Sequence, residues 1–325
     1  MGASGIGSVA IVAAPKAFSG HAGLIQRNAV ASWRALGHDV DILLGGDVAG
    51  LDEVAAANGA VPLGPIAPGV DGPPRVDDLL ARARSATRAD LIAYVNSDII
   101  LLPDWLAAVR RVTAAVAGRL LVIGRRIDLD VVSPIDFSDL HARIDLLDRA
   151  RRAGRLAARV CKDYFVFRRD DYRHVPPFTL GRGFWDNWMV HDAHARGLPV
   201  VDVTACATAV HQNHDYAHLS RGRLTAYVTG AGALENRRLA RGSCMVGGAA
   251  ASWRLRPDGG LVRLSLPALA AFAADLPRFV RLTAAVLASG HRRGAGQATF
   301  RAGSLPPSAG RARGAAPKMP SPQAA

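Results

Sequence analysis

The sequence predicts an α/β protein with a mostly parallel central sheet flanked by helices. Short apolar runs alternate with segments of helical periodicity from residue 8 to about residue 126, and this alternation is typical of parallel strands joined by helices. Runs such as Leu91–Val95 are apolar throughout, as strands buried on both faces of a sheet are. Half of the 325 residues are hydrophobic, so the chain can bury a core of this kind.

Each element is predicted from its own pattern. The first run ends at Pro15 and the second at Gly45-Gly46, as strands followed by turns do, whereas Ile25, Ala29 and Trp33 recur at the spacing of one helical face. In chain order the predicted elements are strand Ser8–Ala13, helix Leu24–Leu36, strand Val40–Leu44, helix Leu51–Ala57, a helix around Val76–Ala83, strand Leu91–Val95, helix Asp104–Ala117, strand Leu120–Ile123, helix Ser138–Ala153, strand Tyr164–Phe167, a helix after Trp185, strand Val200–Thr204 and a strand-like run Ala207–Val210.

The charge distribution divides the chain into three parts. The net charge is +13, and residues 261–325 hold nine basic residues and one acidic residue, so most of the excess lies there. We expect a catalytic domain over 1–260, an amphipathic helical extension over 261–289 and a disordered basic tail over 290–325. The extension is expected either to lie on an anionic membrane surface or to pack on the domain. Because the body is only mildly basic, nucleic acid is not an expected partner.

The compartment is predicted from the cysteines and from hydropathy. Three scattered cysteines do not form a disulfide framework, and apolar segments near the C-terminus are interrupted by charges. We therefore expect a cytoplasmic protein, with peripheral membrane contact if the extension binds lipid.

A short polar segment follows the predicted strand Leu91–Val95. Ligand sites of open α/β sheets lie beyond such strand ends, and Asp98 there can bind a divalent cation, while Asn96 could hydrogen-bond a ribose or hold a metal-bound water. The alternative is that Asp98 only caps a turn.

A histidine-rich segment begins at His211. Imidazole binds Mn²⁺, Zn²⁺ and similar ions, so one of these histidines could share an ion with Asp98. His211, His214 and His218 could instead form a zinc site of their own, although the chain has no HExxH motif. A hydrogen-bonded polar loop is the third possibility.

Two further segments carry candidate functional residues. Asp186 lies beside Trp185 and near Trp188, where an apolar environment can raise the basicity of a carboxylate; the alternative role is a helix cap. Tryptophan faces stack on sugar rings, and Arg182 precedes them. Paired Arg125 and Arg126 follow another predicted strand and could bind phosphate oxygens, or could form a structural ion-pair cluster.

Together these segments resemble the family-2-type glycosyltransferases of the GT-A (nucleotide-diphospho-sugar transferase) fold. The resemblance covers about Val9 to Arg263, and the order and spacing of the segments carry it. The segments are Ile25–Ala29 with Ser32-Trp33, Tyr94–Ile100, Gly124–Arg126, Asp163–Phe167, Pro176–Phe178, Trp185–Trp188 and His211–Tyr216.

The resemblance implies the roles of several residues. Asn96-Ser97-Asp98 stands at the DxD motif, with Asn in place of its first Asp; Asp98 and His211 would bind Mn²⁺ or Mg²⁺. The donor, a nucleotide-sugar, would contact Asn96, Ser97, Asp98, Arg125 and Arg126. Asp186 stands where the family has its catalytic base.

The implied activity is sugar transfer to an acceptor hydroxyl, with inversion. A glycan, a lipid-linked molecule or a small molecule would be the acceptor, bound by Arg182, Trp185 and Trp188. The alternatives are a GT-A domain that binds nucleotide-sugar or glycan without turnover, and a zinc hydrolase.

Overall fold

The computed structural model describes residues 7–158, 161–214, 229–241 and 251–264. Two sheets organise them, with nine and four strands. The strands are β1 Val9–Ala13, β2 Val40–Leu44, β3 Val61–Pro62, β4 Leu91–Val95, β5 Ile99–Leu101, β6 Leu121–Ile123, β7 Ile127–Leu129, β8 Arg155–Leu156, β9 Tyr164–Arg168, β10 Val200–Asp202, β11 Ala209–Gln212, β12 Trp253–Leu255 and β13 Leu261–Arg263. The helices are α1 Gly20–Arg34, α2 Leu51–Asn58, α3 Val76–Ala86, α4 Pro103–Ala115, α5 Leu140–Ala153, α6 Trp185–Ala195 and α7 Ala231–Leu239.

The large sheet has the strand order β13-β12-β10-β6-β9-β4-β1-β2-β3. The neighbours from β4 to β3 run parallel, and so do β6, β10 and β12. Strand β9 lies antiparallel between β4 and β6, and β13 is antiparallel to β12. Because β9 is antiparallel to both of its neighbours, β4 and β6 run in the same direction and end at the same rim of the sheet. The predicted α/β class with a mostly parallel sheet is confirmed.

Helices cover both faces of the large sheet, and the alternation of side chains along each strand decides which helix they meet. In β1, Val9 and Ile11 point into the core beneath α1, α2 and α4, while Ala10 and Val12 point into the core beneath α3 and α6. Both faces of the large sheet are therefore covered by helices and shielded from water, which explains why these strands are apolar throughout.

The small sheet has the strand order β5-β11-β7-β8. Strand β11 is antiparallel to β5 and parallel to β7. A third apolar cluster joins this sheet to α5 through Ile100, Val210, Leu129 and Leu146. Since β5 begins four residues after β4 ends, the small sheet lies next to the rim at which β4 ends.

The structure differs from the predicted elements in two respects. The short strands β3, β5, β7, β8 and β12 were not predicted, because two or three residues are too few for a periodic pattern, and helix α7 was not predicted either. The predicted domain boundary at residue 260 falls inside the hairpin of β12 and β13, so Leu261–Arg263 form an edge strand of the large sheet rather than the start of a helix. The rest of the predicted extension, and the tail, lie outside the described residues. None of the described helices is long and apolar enough to cross a membrane.

Candidate functional site

The segment Asn96-Ser97-Asp98 forms the turn between β4 and β5. The backbone N–H of Ile99 donates to the carbonyl of Asn96 at 3.1 Å, which closes the turn and starts β5 at Ile99. In the small sheet Ile99 lies opposite His211 of the antiparallel β11. The sheet register therefore brings Asp98 next to His211, although 113 positions separate them in the sequence.

Asp98, His211 and His214 form a compact cluster of potential metal ligands. Asp98 Oδ2 lies 3.5 Å from His211 Nε2 and 3.2 Å from His214 Nε2, and one ligand atom from each residue lies within 4.8 Å of the others. Asp98 Oδ1 is buried without a hydrogen-bond partner in the described part of the chain. One carboxylate and two imidazoles suit Mn²⁺ and Zn²⁺ better than Mg²⁺, which prefers oxygen ligands.

The electrostatics of the cluster keep Asp98 ionised. Burial acts to raise the pKa of Asp98, but hydrogen bonds and positive charge from His211 and His214 outweigh it and hold that pKa well below its ordinary value. An ionised carboxylate beside imidazole nitrogens is the protonation state that a cation site requires. The predicted proximity of Asp98 and His211 is confirmed, and His214 joins them.

Buried amides fix the backbone behind this cluster. Gln212 is 0% exposed, and its Nε2 donates to the carbonyls of Ile25 at 2.7 Å and Asp98 at 3.1 Å. Asn28 of α1 donates to Gln212 Oε1 at 3.0 Å. These contacts join α1, β11 and the turn before β5. Sequence analysis did not single out Gln212 for a role of its own; it is part of the His211–Tyr216 segment.

A buried ion-pair network lies beside the cluster. Arg126 is 7% exposed; its Nε donates to Asp128 at 2.8 Å and its Nη1 to Asp163 at 2.6 Å. Burial opposes the charge, yet Asp163 and Asp128 together raise the pKa of Arg126 above its ordinary value. Asn96 Nδ2 also donates to Asp163 Oδ1, at 2.8 Å.

This network corrects the predicted role of Arg126. Because both described bonds of its guanidinium go to buried carboxylates, Arg126 acts as an internal brace, the structural alternative considered for the paired arginines. Arg125 is half-buried. Its side-chain Nε donates to the carbonyl of Ala157 at 2.6 Å, and its backbone N–H donates to Thr204 Oγ1 at 2.9 Å. The residue before them must be glycine, since a Cβ at Gly124 would lie 1.8 Å from the hydroxyl of Tyr164.

Trp185 and Asp186 begin α6 close to the end of β4. Trp185 is 5% exposed and packs edge-to-face on Tyr94, with ring centroids 4.9 Å apart. It also packs on Phe165, so its ring is part of the core and has no free face for a sugar. The predicted acceptor contact of Trp185 is therefore corrected, because the aromatic cluster already covers its ring.

Asp186 is buried within the first turn of α6. It is 8% exposed, and its Oδ1 accepts from the backbone N–H of Asn187 at 2.9 Å. Phe184, at the N-cap, has φ +83°, which is costly for a residue with a side chain and gives the chain a sharp turn before the helix. Burial, followed by the charges of Asp98, Asp163 and Asp186, raises the pKa of Tyr94. Asp98, Asp163 and Asp186 are therefore all close enough to the Tyr94 hydroxyl to act on its charge.

One cation, Lys16, lies near Asp98, and a second, Arg182, lies near Lys16. Lys16 follows β1 by three residues, and burial lowers the pKa of its ammonium, with Asp98 acting in the opposite direction and Arg182 adding to the decrease. Arg182 is half-buried and contacts Gly232 of α7. Trp188 is also half-buried and packs on Phe178 at 5.3 Å between centroids. Lys16 was missed by sequence analysis, although its place after a buried strand was the available signal.

Comparisons with known proteins give a limited result. No protein-family model matches the chain, and no curated protein sequence matches it. Among solved structures, the chain is similar to glucosyl-3-phosphoglycerate synthase from Mycobacterium tuberculosis with Mg²⁺ and uridine diphosphate, at 17% identity and a TM-score of 0.45 over 79% of this chain and 87% of that one. The same protein with Mn²⁺, uridine diphosphate and phosphoglyceric acid gives 16% identity and a TM-score of 0.45 over 80% and 87%. A likeness of this size carries no statement about what this chain binds.

Proposed function

We propose that the protein is a metal-dependent glycosyltransferase of the GT-A type that transfers a sugar from a nucleotide-diphosphate donor to an acceptor hydroxyl. The observation that carries the proposal is the cluster of Asp98, His211 and His214 at the carboxyl end of β4. Asp98 belongs to the Asn96-Ser97-Asp98 turn, whose place in the sequence is that of the DxD motif in the family that the chain resembles.

Asp98, His211 and His214 would hold a divalent cation, with Mn²⁺ favoured over Mg²⁺ by the two imidazoles. When bound, such an ion offsets the negative charge that develops on a departing nucleoside diphosphate. Lys16 adds positive charge close to Asp98. Asn96 and Ser97 are half-buried in the same turn, and we propose that they and Arg125 line the donor site.

Asp186 is proposed as the base that takes the proton from the acceptor hydroxyl. The hydroxyl oxygen then attacks the anomeric carbon while the bond to the diphosphate breaks, and the configuration is inverted. Burial of the carboxylate and the rigid first turn of α6 limit its motion and its contact with water. Arg182 and Trp188, which keep exposed surface, are proposed to bind a glycan, lipid-linked or small-molecule acceptor.

Thermal unfolding with a panel of nucleotide-diphospho-sugars, with and without Mn²⁺, tests the proposal. A donor at 100 times its dissociation constant should stabilise the protein by about 2.7 kcal/mol. We expect this stabilisation to require Mn²⁺. Asp186→Asn should keep donor binding and lose sugar transfer. Stabilisation by no donor in the panel would contradict the proposal.

The same cluster supports a second candidate, a zinc hydrolase, because a carboxylate with two imidazoles is also a zinc ligand set. His218, the third histidine of that hypothesis, lies outside the described residues. Stoichiometric zinc in the purified protein, with no donor-dependent stabilisation, would favour the hydrolase. Donor binding without transfer to any acceptor would instead indicate a binding domain. Membrane contact of the C-terminal segment is a proposal tested by sedimentation with anionic vesicles, and cytoplasmic location is a proposal tested by cell fractionation.

A further inference from the structure

Asp128 is a buried carboxylate that lies behind His211. Its parallel register in the small sheet places it opposite His211, and its Oδ1 is 3.2 Å from His211 Nδ1. The other ring nitrogen, Nε2, faces Asp98. One side of the imidazole therefore meets the metal cluster and the other side meets Asp128.

Asp128 is held firmly in place. Its Oδ1 accepts from Arg126 Nε and its Oδ2 from Arg155 Nη2, both at 2.8 Å, and the residue is 8% exposed. Two guanidinium groups therefore balance its charge and fix the plane of its carboxylate.

This environment suits a His211 that binds a metal ion through Nε2. Both carboxylates beside the ring only accept hydrogen bonds; a metal ion at Nε2 would take the place of the proton shared with Asp98, and Asp128 would then accept the proton that stays on Nδ1. Nδ1 makes no well-aligned hydrogen bond in the described part of the chain, and a small rotation of the ring would align it with Asp128. Metal-binding histidines usually donate their second nitrogen to a carboxylate in this way.

Arg126 extends the same support to the other side of the cluster. Its second bond, to Asp163, continues to Asn96, which begins the turn that carries Asp98. The chain of contacts therefore connects a residue two positions before Asp98 with the residue behind His211. One buried arginine therefore contacts both the carboxylate behind His211 and the carboxylate that holds the turn before Asp98.

We propose that Asp128 is a positioning residue, which, braced by Arg126, orients His211 so that its Nε2 is presented to a metal ion shared with Asp98 and His214. This role rests on the proposed metal site and deepens it. It assigns to Arg126 and Asp128 a function in metal affinity, in place of the phosphate contact that the sequence predicts for Arg126.

Titration of the full-length protein with MnCl₂ by calorimetry tests the role, using wild type, Asp128→Asn and Asp171→Asn. Asp171 is a matched control because it is 6% exposed, accepts from Arg119 at 2.8 Å, and lies near Leu120, at the opposite rim of the large sheet. We expect Asp128→Asn to bind Mn²⁺ about 10- to 100-fold more weakly than wild type. Asp171→Asn should bind Mn²⁺ as wild type does.

The Nδ1 proton of His211 gives a readout that a merely structural role would not change. In NMR spectra of the protein loaded with diamagnetic Zn²⁺, this proton should exchange slowly with water in wild type and in Asp171→Asn, and faster in Asp128→Asn. Equal Mn²⁺ affinity in Asp128→Asn and Asp171→Asn would overturn the role, whether that affinity equals the wild-type value or is lower in both. Failure of the wild type to bind Mn²⁺ would overturn the metal site itself, and the role with it.

Discussion

The two sheets of the protein differ in the side chains that they bury: the large sheet buries almost only apolar ones, and the small sheet buries polar and charged ones beside its apolar cluster. In the large sheet, β1 and β4 are buried along their whole length and carry only apolar residues and one tyrosine. In the small sheet, Asp128, His211 and Gln212 are buried as well, at 8%, 4% and 0% exposure. The large sheet therefore derives its stability from apolar burial, whereas the small sheet needs a hydrogen-bond or ion-pair partner for almost every polar group it buries.

This difference assigns separate tasks to the two sheets. Apolar packing tolerates repacking but carries no chemistry, and it provides the rigid rim on which the site is built. A buried polar network is specific in geometry, and losing one partner leaves another group unsatisfied. Changes in the large sheet should therefore alter stability and spare metal affinity, while changes in the small sheet and its adjoining turn should alter metal affinity, with or without a loss of stability.

Asp98→Ala should have the largest effect on metal binding. Removing this ligand deletes the carboxylate of the cluster, so we expect Mn²⁺ affinity to fall by more than the about 100-fold that loss of an outer partner can cost. The overall fold should survive, because Asp98 packs no apolar core. Calorimetric Mn²⁺ titration together with circular dichroism measures both. Unchanged Mn²⁺ affinity would remove Asp98 from the site.

Trp185→Ala should have the largest effect on stability. Its ring fills the space between Tyr94 and Phe165, so truncation should lower the free energy of unfolding by about 3–5 kcal/mol. Mn²⁺ affinity of the folded protein should stay near the wild-type value. Chemical denaturation followed by fluorescence measures the loss. A variant of wild-type stability with a raised KM for the acceptor would restore the sugar-stacking role predicted from the sequence.

Gln212→Ala should lower stability by a smaller amount. It leaves the Asn28 amide and the carbonyls of Ile25 and Asp98 without their partner, at a cost of about 1–3 kcal/mol for a buried group left unsatisfied. The turn that carries Asp98 should loosen, so Mn²⁺ affinity should fall as well. Denaturation and metal titration of the same sample test whether the two losses occur together. Loss of stability alone would separate Gln212 from the site.

The smallest expected effect is the contribution of the Asp98 carboxylate to the pH dependence of stability. Its folded pKa lies below that of the unfolded chain, so its stabilising contribution is complete above the unfolded value of about 3.9 and is lost as pH falls through the folded value. The unfolding free energy of wild type minus that of Asp98→Asn should therefore shrink as the pH falls below about 4. Urea titrations of both proteins measure this difference. A constant difference would contradict the ionised, histidine-paired state.

The large sheet was predictable from the sequence because each of its longer strands is recognised from its own run of residues. Val40–Leu44 and Leu91–Val95 match the observed strands residue for residue, since a buried parallel strand is a continuous apolar run. The small sheet was not, because β5, β7 and β8 are too short to show a period and are defined by pairing across the chain.

The candidate site was predictable in part for the same reason. The place of Asp98 after a buried strand indicated its role, and its proximity to His211 was expected and is confirmed. The paired arginines looked like phosphate ligands because Asp163, the second carboxylate that binds Arg126, lies 37 positions away in the sequence. Charge patterns along a chain do not show which of two partners, a protein carboxylate or a ligand phosphate, an arginine will meet.

The edge hairpin determines where a fused partner or a surface attachment would be carried. Strand β12 runs toward the site rim and β13 runs back, and the N–H of Leu264 donates to the carbonyl of Ser252, just before β12 begins. The chain therefore leaves the sheet at the rim opposite the metal cluster, five strand spacings, about 24 Å, from β4. An attachment made at Leu264 itself would therefore be held at the rim opposite Asp98, His211 and His214.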